Sequence, residues 1–392
     1  MKASIPVLRL KKRSERAFRI NRHPWIFSGA IESEEIGTGS EYPVQVYDSE
    51  GYLGWGIRDR KSRIPVRILD FHSRPVPDPL DPGFWNLRFA NANKLRRNLL
   101  DLGKTSGYRM INSEGDFFPG LTLDRFGEIA VYQSEYQFYD RVLRILEPSL
   151  IQSGITSLLK KSSLDSGYEI FLGPDRKEAE FWENGNKYLW VGTESQKTGF
   201  FLDQRDSRKL VGELAADKSV LNCFSYSGGF GISAMKGGAN QVVNVDISES
   251  SLRIARRIEF LNFQNNNTSK FEYIAKDCFE YLREIPKDKF DLIILDPPAF
   301  TKSKETVTKA TRGYKDINLN AMKAISKGGL LFTYSCSKHM SRDLFRKVIF
   351  GAGLDSGRSI RFLKDLGPGL DHPVNLSHPE GEYLKGLLLE IQ

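Results

Sequence analysis

Cysteine, histidine and long apolar runs are all scarce in this 392-residue chain. Its three cysteines, Cys223, Cys278 and Cys336, are odd in number and widely spaced. That excludes a disulfide framework and fits a reducing, cytoplasmic setting. Its five histidines, His23, His72, His339, His372 and His378, are scattered. No CxxC, HxH or HxxxH pairing occurs, so no metal site is expected. No stretch of about 18 apolar residues exists, which excludes a transmembrane helix. The N-terminal MKASIPVLRLKKRSER turns basic where an export signal carries its apolar segment, so export is not expected. Internal repeats and low-complexity tracts are lacking too.

Basic residues, by contrast, are in excess. The formal net charge is +8, and residues 1–75 hold 14 Lys/Arg against 9 Asp/Glu. Arg9, Lys11, Lys12, Arg13, Arg16, Arg19 and Arg22 crowd into one short segment opposed by Glu15 alone. A cluster of this kind suits a polyanion, because neutralised phosphates release counterions. A solvated basic face gives the same pattern.

The length suggests two or three domains. IPVLRL, YPVQVYD, YLGWGIRD and RIPVRILDF read as short alternating strands, a small β-rich module over 1–75. The proline-rich SRPVPDPLDPGF (73–84) reads as a linker. Residues 76–190 read as a small α+β domain: a helix over 84–106, a hairpin from FPGLTLDRFG and EIAVYQSEYQF, then a helix and a strand over 140–160. From about 191 to 392 apolar strands alternate with amphipathic helices. That pattern predicts an α/β domain with a doubly wound, mostly parallel sheet.

Ligands of such sheets bind at the carboxyl ends of the strands. Asp246, Asp277, Asp296 and Cys336 all fall at such ends. GFGISA (229–234) formally matches a dinucleotide turn, but Ser225-Tyr226-Ser227 separate it from its strand. The longer loop SYSGGFG suits a ligand with an amino acid moiety and a nucleoside. Asp246 is placed to accept from ribose hydroxyls and Asp277 from an adenine amino group, although a single such Asp is commonly a helix cap. The two prolines of Asp296-Pro297-Pro298 stiffen the backbone beside Asp296.

The second half resembles class I S-adenosylmethionine-dependent RNA methyltransferases, and RHPWIFSGA (22–30) resembles the start of a PUA-type RNA-binding module. FPGLTLDRFG, KTGFFLDQRDSR, LNCFSYSGGF, LDPPAF, RGYKDIN, LFTYSCS, DHPV and EGEYLKG together resemble bacterial 23S rRNA (cytosine-5)-methyltransferases of the PUA-containing type. The resemblance implies S-adenosyl-L-methionine as cofactor and ribosomal RNA as partner. It implies that Cys336 is a nucleophile that adds to carbon 6 of cytosine, and that Asp296 orients the base. Phe201, Gln204, Arg205, Phe224, Ser225, Tyr226 and Gly228 would surround the cofactor with Asp246, Asp277 and Asp296. Tyr314, Lys315 and His372 would contact the target nucleotide, and Arg22, His23 and Trp25 the RNA.

Some roles stay open. Many (cytosine-5) enzymes carry a second catalytic Cys where this chain has Pro298 and Ala299, so the base for the carbon 5 proton is not identified. Lys338 and His339 read as surface residues, Cys223 as core, and Cys278 as lining for the adenine pocket. Rival readings are a guanine N-methyltransferase of the same fold, which needs no nucleophile, a non-catalytic RNA-binding assembly factor, and a nicotinamide dehydrogenase resting on GFGISA alone.

Overall fold

Alternation builds the first sheet: along Glu41–Asp48 every second residue, Tyr42, Val44, Val46 and Asp48, turns inward. It is one strand of a six-stranded sheet within residues 7–70. The computed structural model describes residues 5–14, 16–71, 74–75, 78–161, 167–192, 198–264, 270–301, 303 and 305–392. A five-stranded sheet follows, formed by Gly107–Asn112, Leu121–Phe126, Ile129–Ser134, Ser157–Lys161 and Tyr168–Leu172. Its hairpin is the one the sequence predicts, turning at Gly127 with φ 63°.

The helix before that sheet runs Pro82–Leu99, so it starts inside the proline-rich stretch read as a linker. Asp81 caps it, accepting from the Phe84 amide at 2.7 Å, and Pro82 occupies the first turn, where no amide is needed. This helix packs Trp85 against Trp55 of the six-stranded sheet, ring centroids 6.1 Å apart. One core therefore joins the two sheets.

The chain divides into two compact units. The first contains Met1–Leu100, Tyr108–Arg176 and Asp371–Gly381; the second contains Asp101–Gly107, Lys177–Leu370 and Glu382–Gln392. The hairpin Glu178–Glu183/Asn186–Val191, within the stretch read as the central domain, belongs to the second unit. The segment Asp371–Gly381 is built into the first, although its neighbours on both sides belong to the second.

The second unit is the expected α/β domain. Its seven-stranded sheet comprises β1 (Ser219–Cys223), β2 (Gln241–Asp246), β3 (Phe271–Ala275), β4 (Phe290–Leu295), β5 (Ile325–Ser335), β6 (Ile360–Leu366) and β7 (Lys385–Ile391). The spatial order is 3-2-1-4-5-7-6. The first five strands are mutually parallel, while β7 runs antiparallel to β5 and to β6. Helices cover both faces. α1 (Arg205–Leu214) and α2 (Gly229–Lys236) pack over Val220, Val242, Leu292 and Phe332. α4 (Cys278–Glu284), α5 (Val307–Ala324) and α6 (Arg342–Ser356) pack over Leu221, Val243, Ile293 and Leu331, while α3 (Glu249–Phe263) lies against β2 and β3. Burial on both faces is why these strands read as near-continuous apolar runs.

The glycines of GFGISA serve this packing. A Cβ at Gly231 would lie 2.6 Å from Asn244 Oδ1, and one at Gly229 would lie 3.1 Å from Arg208 Cδ. They let α2 settle onto β2 and α1.

Candidate active site

With both faces of the sheet covered, the strand ends carry the polar groups. The turn after β1 has a strained backbone: Phe224, Tyr226 and Gly228 have φ of 57°, 48° and 75°. Left-handed Phe and Tyr cost on the order of 1 kcal/mol each. Neighbouring strands hold the turn in place. The Phe224 amide donates to Cys278 Sγ at 3.1 Å, the Ser225 amide to the Val245 carbonyl at 3.0 Å, and the Tyr226 amide to Asp246 Oδ2 at 2.8 Å. At Gly228 a Cβ would approach Ala255 Cβ to 3.0 Å, so both the φ and the space demand glycine.

Asp246 ends β2 half-buried, and its Oδ1 also accepts from the Ser248 amide at 2.9 Å. Asp277 follows β3 and caps α4, its Oδ1 accepting from the Phe279 and Glu280 amides at 2.8 and 3.2 Å. Cys278 is buried and bridges β1 to β2, with its Sγ 3.5 Å from the Val245 carbonyl. It is a brace for the turn, and its thiol is turned inward. Cys223 is core; burial and the neighbouring Cys278 push its thiol up.

Cys336 differs from both. It directly follows β5, is partly exposed, and its Sγ lies 3.8 Å from the Pro297 carbonyl of the Asp-Pro-Pro turn on β4. Asp296, next to Pro297 in that turn, is partly exposed, and Pro297 is buried. Ser335 and Ser337 on either side of the thiol are fully buried.

Upstream, the FFLDQR segment is pinned by Arg208 of α1. Its guanidinium donates to the Phe201 carbonyl at 2.9 Å and pairs with buried Glu183 at 2.7 and 2.6 Å. Phe201 meets the Tyr226 ring edge-on at 5.2 Å, and Gln204 and Arg205 are buried. The side-chain oxygens of Gln204, Ser225 and Ser227 are buried with no protein partner. Orphaned polar atoms in this neighbourhood fit a bound polar ligand, which would relieve their desolvation.

The structure places the expected RNA-facing residues unevenly. Tyr314 is fully buried, its ring tilted against Phe300 with centroids 4.5 Å apart, and its hydroxyl 2.9 Å from Ser337 Oγ. It supports the Cys336 turn from within instead of facing solvent. Lys315 pairs with Asp355 at 2.7 Å. His372 lies in the first unit, buried, its Nδ1 2.8 Å from Asp371 Oδ1. Arg22 is exposed at a turn with φ 51°. His23 approaches Glu380 at 3.4 Å. Trp25 is core, donating to Glu114 at 2.7 Å beneath His378, 4.4 Å away.

Sequence reasoning missed Arg208, Glu183, Ser337 and Lys385. The last begins β7 fully within the domain, 4% exposed, and donates to the Ser337 carbonyl at 2.8 Å. A lysine heading the apolar strand KGLLLEI was the available signal.

Among the described residues no helix is long and apolar enough to cross a membrane, and no three His, Cys, Asp or Glu side chains are grouped to hold a metal.

The profile of the S-adenosylmethionine-dependent methyltransferases matches residues 137–347, and that of the PUA-like domains matches residues 8–71. The chain is 38% identical to ribosomal RNA large subunit methyltransferase I of Aeromonas hydrophila, over 99% of each chain. The protein of the same name from Pseudoalteromonas atlantica is also 38% identical, over 95% of this chain and 96% of its own. Among solved structures, SMU.776 complexed with SAH superposes with a TM-score of 0.83 at 21% identity, covering 99% of this chain and 100% of that one. A Streptococcus mutans structure gives 0.80 at 21% identity, with the same coverage. The chain belongs to the S-adenosylmethionine-dependent methyltransferase family that includes ribosomal RNA large subunit methyltransferase I.

Proposed function

We propose that this protein methylates carbon 5 of a cytosine in large-subunit ribosomal RNA, with Cys336 as nucleophile. The observation that carries the reading is Cys336 itself. It is the one cysteine of three with exposed surface, and it stands at a strand end facing the Asp-Pro-Pro turn. The names of the relatives support ribosomal RNA of the large subunit as substrate.

Carbon 5 of cytosine is a weak nucleophile, so the ring must first be activated. The Cys336 thiolate adds to carbon 6, forming an S–C bond and pushing electron density to carbon 5. Carbon 5 would take the methyl group as its bond to the donor's sulfonium breaks and the neutral thioether departs; a base then removes the carbon 5 proton, and the bond between Cys336 sulfur and carbon 6 breaks as the ring double bond returns. Bound S-adenosylmethionine supplies the electrophilic methyl. Asp246 would hold its ribose and Asp277 its adenine, and Ser225, Tyr226 and Gly228 would line the methionine moiety, with Phe201, Gln204 and Arg205 closing it. Asp296 reads the cytosine edge. The exposed arginines of the first unit, Arg13, Arg16 and Arg22, hold the RNA backbone.

The test is methyl transfer from labelled S-adenosylmethionine to unmodified ribosomal RNA, with nucleoside mass analysis, for wild type and Cys336→Ala. The expected product is 5-methylcytidine from wild type alone. A methylated guanosine, or an undiminished rate in the variant, overturns the reading.

A further inference from the structure

We infer that Lys385 is a positioning residue for the nucleophile: its buried ammonium, anchored on the Ser337 carbonyl, holds Cys336 in the thiolate form. This deepens the reading of Cys336 as nucleophile and rests on it.

The geometry starts with register. β7 runs antiparallel to β5, and Lys385 stands directly opposite Ser335. Its Nζ donates to the Ser337 carbonyl at 2.8 Å, two residues beyond that register partner. The lysine therefore touches the chain on both sides of the thiol. Its neighbour fixes this approach: a Cβ at Gly386 would fall 2.4 Å from Tyr334 Cδ1, so only glycine lets β7 lie this close. An ammonium has three donors, and the Ser337 carbonyl takes one.

A buried lysine is costly unless a negative charge compensates it. The groups around it are few. A Cys336 thiolate and the Glu382 carboxylate favour the ammonium, and the Arg342 guanidinium opposes it. Burial nonetheless pushes the ammonium down to about 8, and ionisation of Cys336 opposes that fall. The coupling is reciprocal: whatever the thiolate does for the ammonium, the ammonium does for the thiolate. From the other side of the turn Tyr314 presents a neutral hydroxyl, bound to Ser337 Oγ, with its own ionisation raised by burial. Asp296 lies on the neighbouring strand end, and Lys338 and His339 follow in the chain, with Lys338 exposed. Among these charged neighbours Lys385 is the buried cation beside the thiol. An unassisted thiol ionises at about 8.5, so only a few per cent is thiolate at neutral pH.

The experiment needs neither RNA nor methyl donor. The full-length protein is alkylated with iodoacetamide between pH 5.5 and 10, and the rate at Cys336 is followed by peptide mass spectrometry. The thiolate displaces iodide, so the rate reports its fraction. Buried Cys223 and Cys278 report whether the fold is intact. In Lys385→Met the midpoint is expected to rise by about one pH unit, slowing alkylation near neutral pH roughly tenfold. Lys385→Gln, which still donates to Ser337, is expected to do the same, and Lys385→Arg to preserve the wild-type midpoint. Unchanged midpoints in the folded neutral variants overturn the inference. Should neither neutral variant fold, Lys385 is titrated through its 13C-labelled Cε in wild type and Cys336→Ala. A lower midpoint in the variant supports the coupling, and identical curves overturn it. The two readings separate cleanly: activity of Cys336→Ala decides whether the thiol is the nucleophile, while alkylation decides what Lys385 does to it.

Discussion

Charged residues are used in two different ways in this molecule. At the carboxyl edge of the seven-stranded sheet, topology assembles them: parallel strands end side by side, so Asp246, Asp296 and Cys336 share an edge without contacting one another in sequence. In the basic segment of the first unit, sequence assembles them and the fold then divides the group. Arg19 pairs with buried Asp48 at 2.5 Å and with Glu50 at 3.4 Å, and Lys11 donates to the Gly29 carbonyl at 3.0 Å. Arg13, Arg16 and Arg22 are left exposed. A cluster in sequence can thus be dispersed by the fold, whereas parallel strand ends are gathered by the sheet itself.

The sharpest break in this comparison is between cysteines of the same sheet edge. Cys336→Ala is expected to lower the rate of methyl transfer at least about a thousandfold with an unchanged fold. Cys278→Ala is expected to loosen the Phe224 turn, raising the KM for the methyl donor several-fold with the product unchanged. Parallel steady-state kinetics check both, and equal losses in the two variants would show that position on the edge counts for nothing.

Next in size is the ion pair beneath the edge. Glu183→Ala strands the buried Arg208 charge and is expected to cost about 3–5 kcal/mol in urea unfolding. Because Arg208 also holds the Phe201 carbonyl, binding of S-adenosylhomocysteine should weaken as well. Calorimetry at a temperature where the variant is folded measures that second effect.

Lys385 gives a pH signature in stability. Its ammonium ionises at about 8 in the native protein and at about 10.4 in the unfolded chain. Between those values the unfolded chain binds more protons, so stability rises with pH across this window. The rise attributable to Lys385 is on the order of 1–3 kcal/mol. It should be missing in Lys385→Met when unfolding is compared at pH 8 and pH 10.

The smallest effects belong to the basic segment. Arg16→Ala and Arg22→Ala are each expected to lower the slope of RNA affinity against salt by nearly one unit without altering stability. Arg19→Ala should reverse the pattern, destabilising the first unit while leaving the slope almost unchanged.

Much of this organisation was legible in the chain. Apolar runs separated by amphipathic helices dictate a doubly wound sheet, and that places Asp246, Asp277, Asp296 and Cys336 at or just beyond its strand ends. What escaped depends on long-range register or packing. Lys385 becomes a neighbour of Cys336 only once β7 pairs antiparallel with β5. Arg208 and Glu183 are 25 residues apart and meet only in the folded core. Tyr314 reads as a polar aromatic in RGYKDIN, yet its helix turns it onto Phe300 and Phe345. His372 lies in sequence between β6 and β7, yet its segment belongs to the other unit.

That last segment has a bearing on how the protein is made. Arg96, paired with buried Asp116 at 2.5 Å, also donates to the Asp371 carbonyl at 2.6 Å, and the Arg109 amide donates to Asp371 Oδ2 at 2.8 Å. Asn112 donates to the Pro373 carbonyl at 2.9 Å. A nascent chain leaving the ribosome has synthesised both sheets of the first unit long before these partners exist. The unit that emerges first thus cannot close until residues 371–381 follow, after six of the seven strands of the other unit's large sheet have been made, and only β7 comes later.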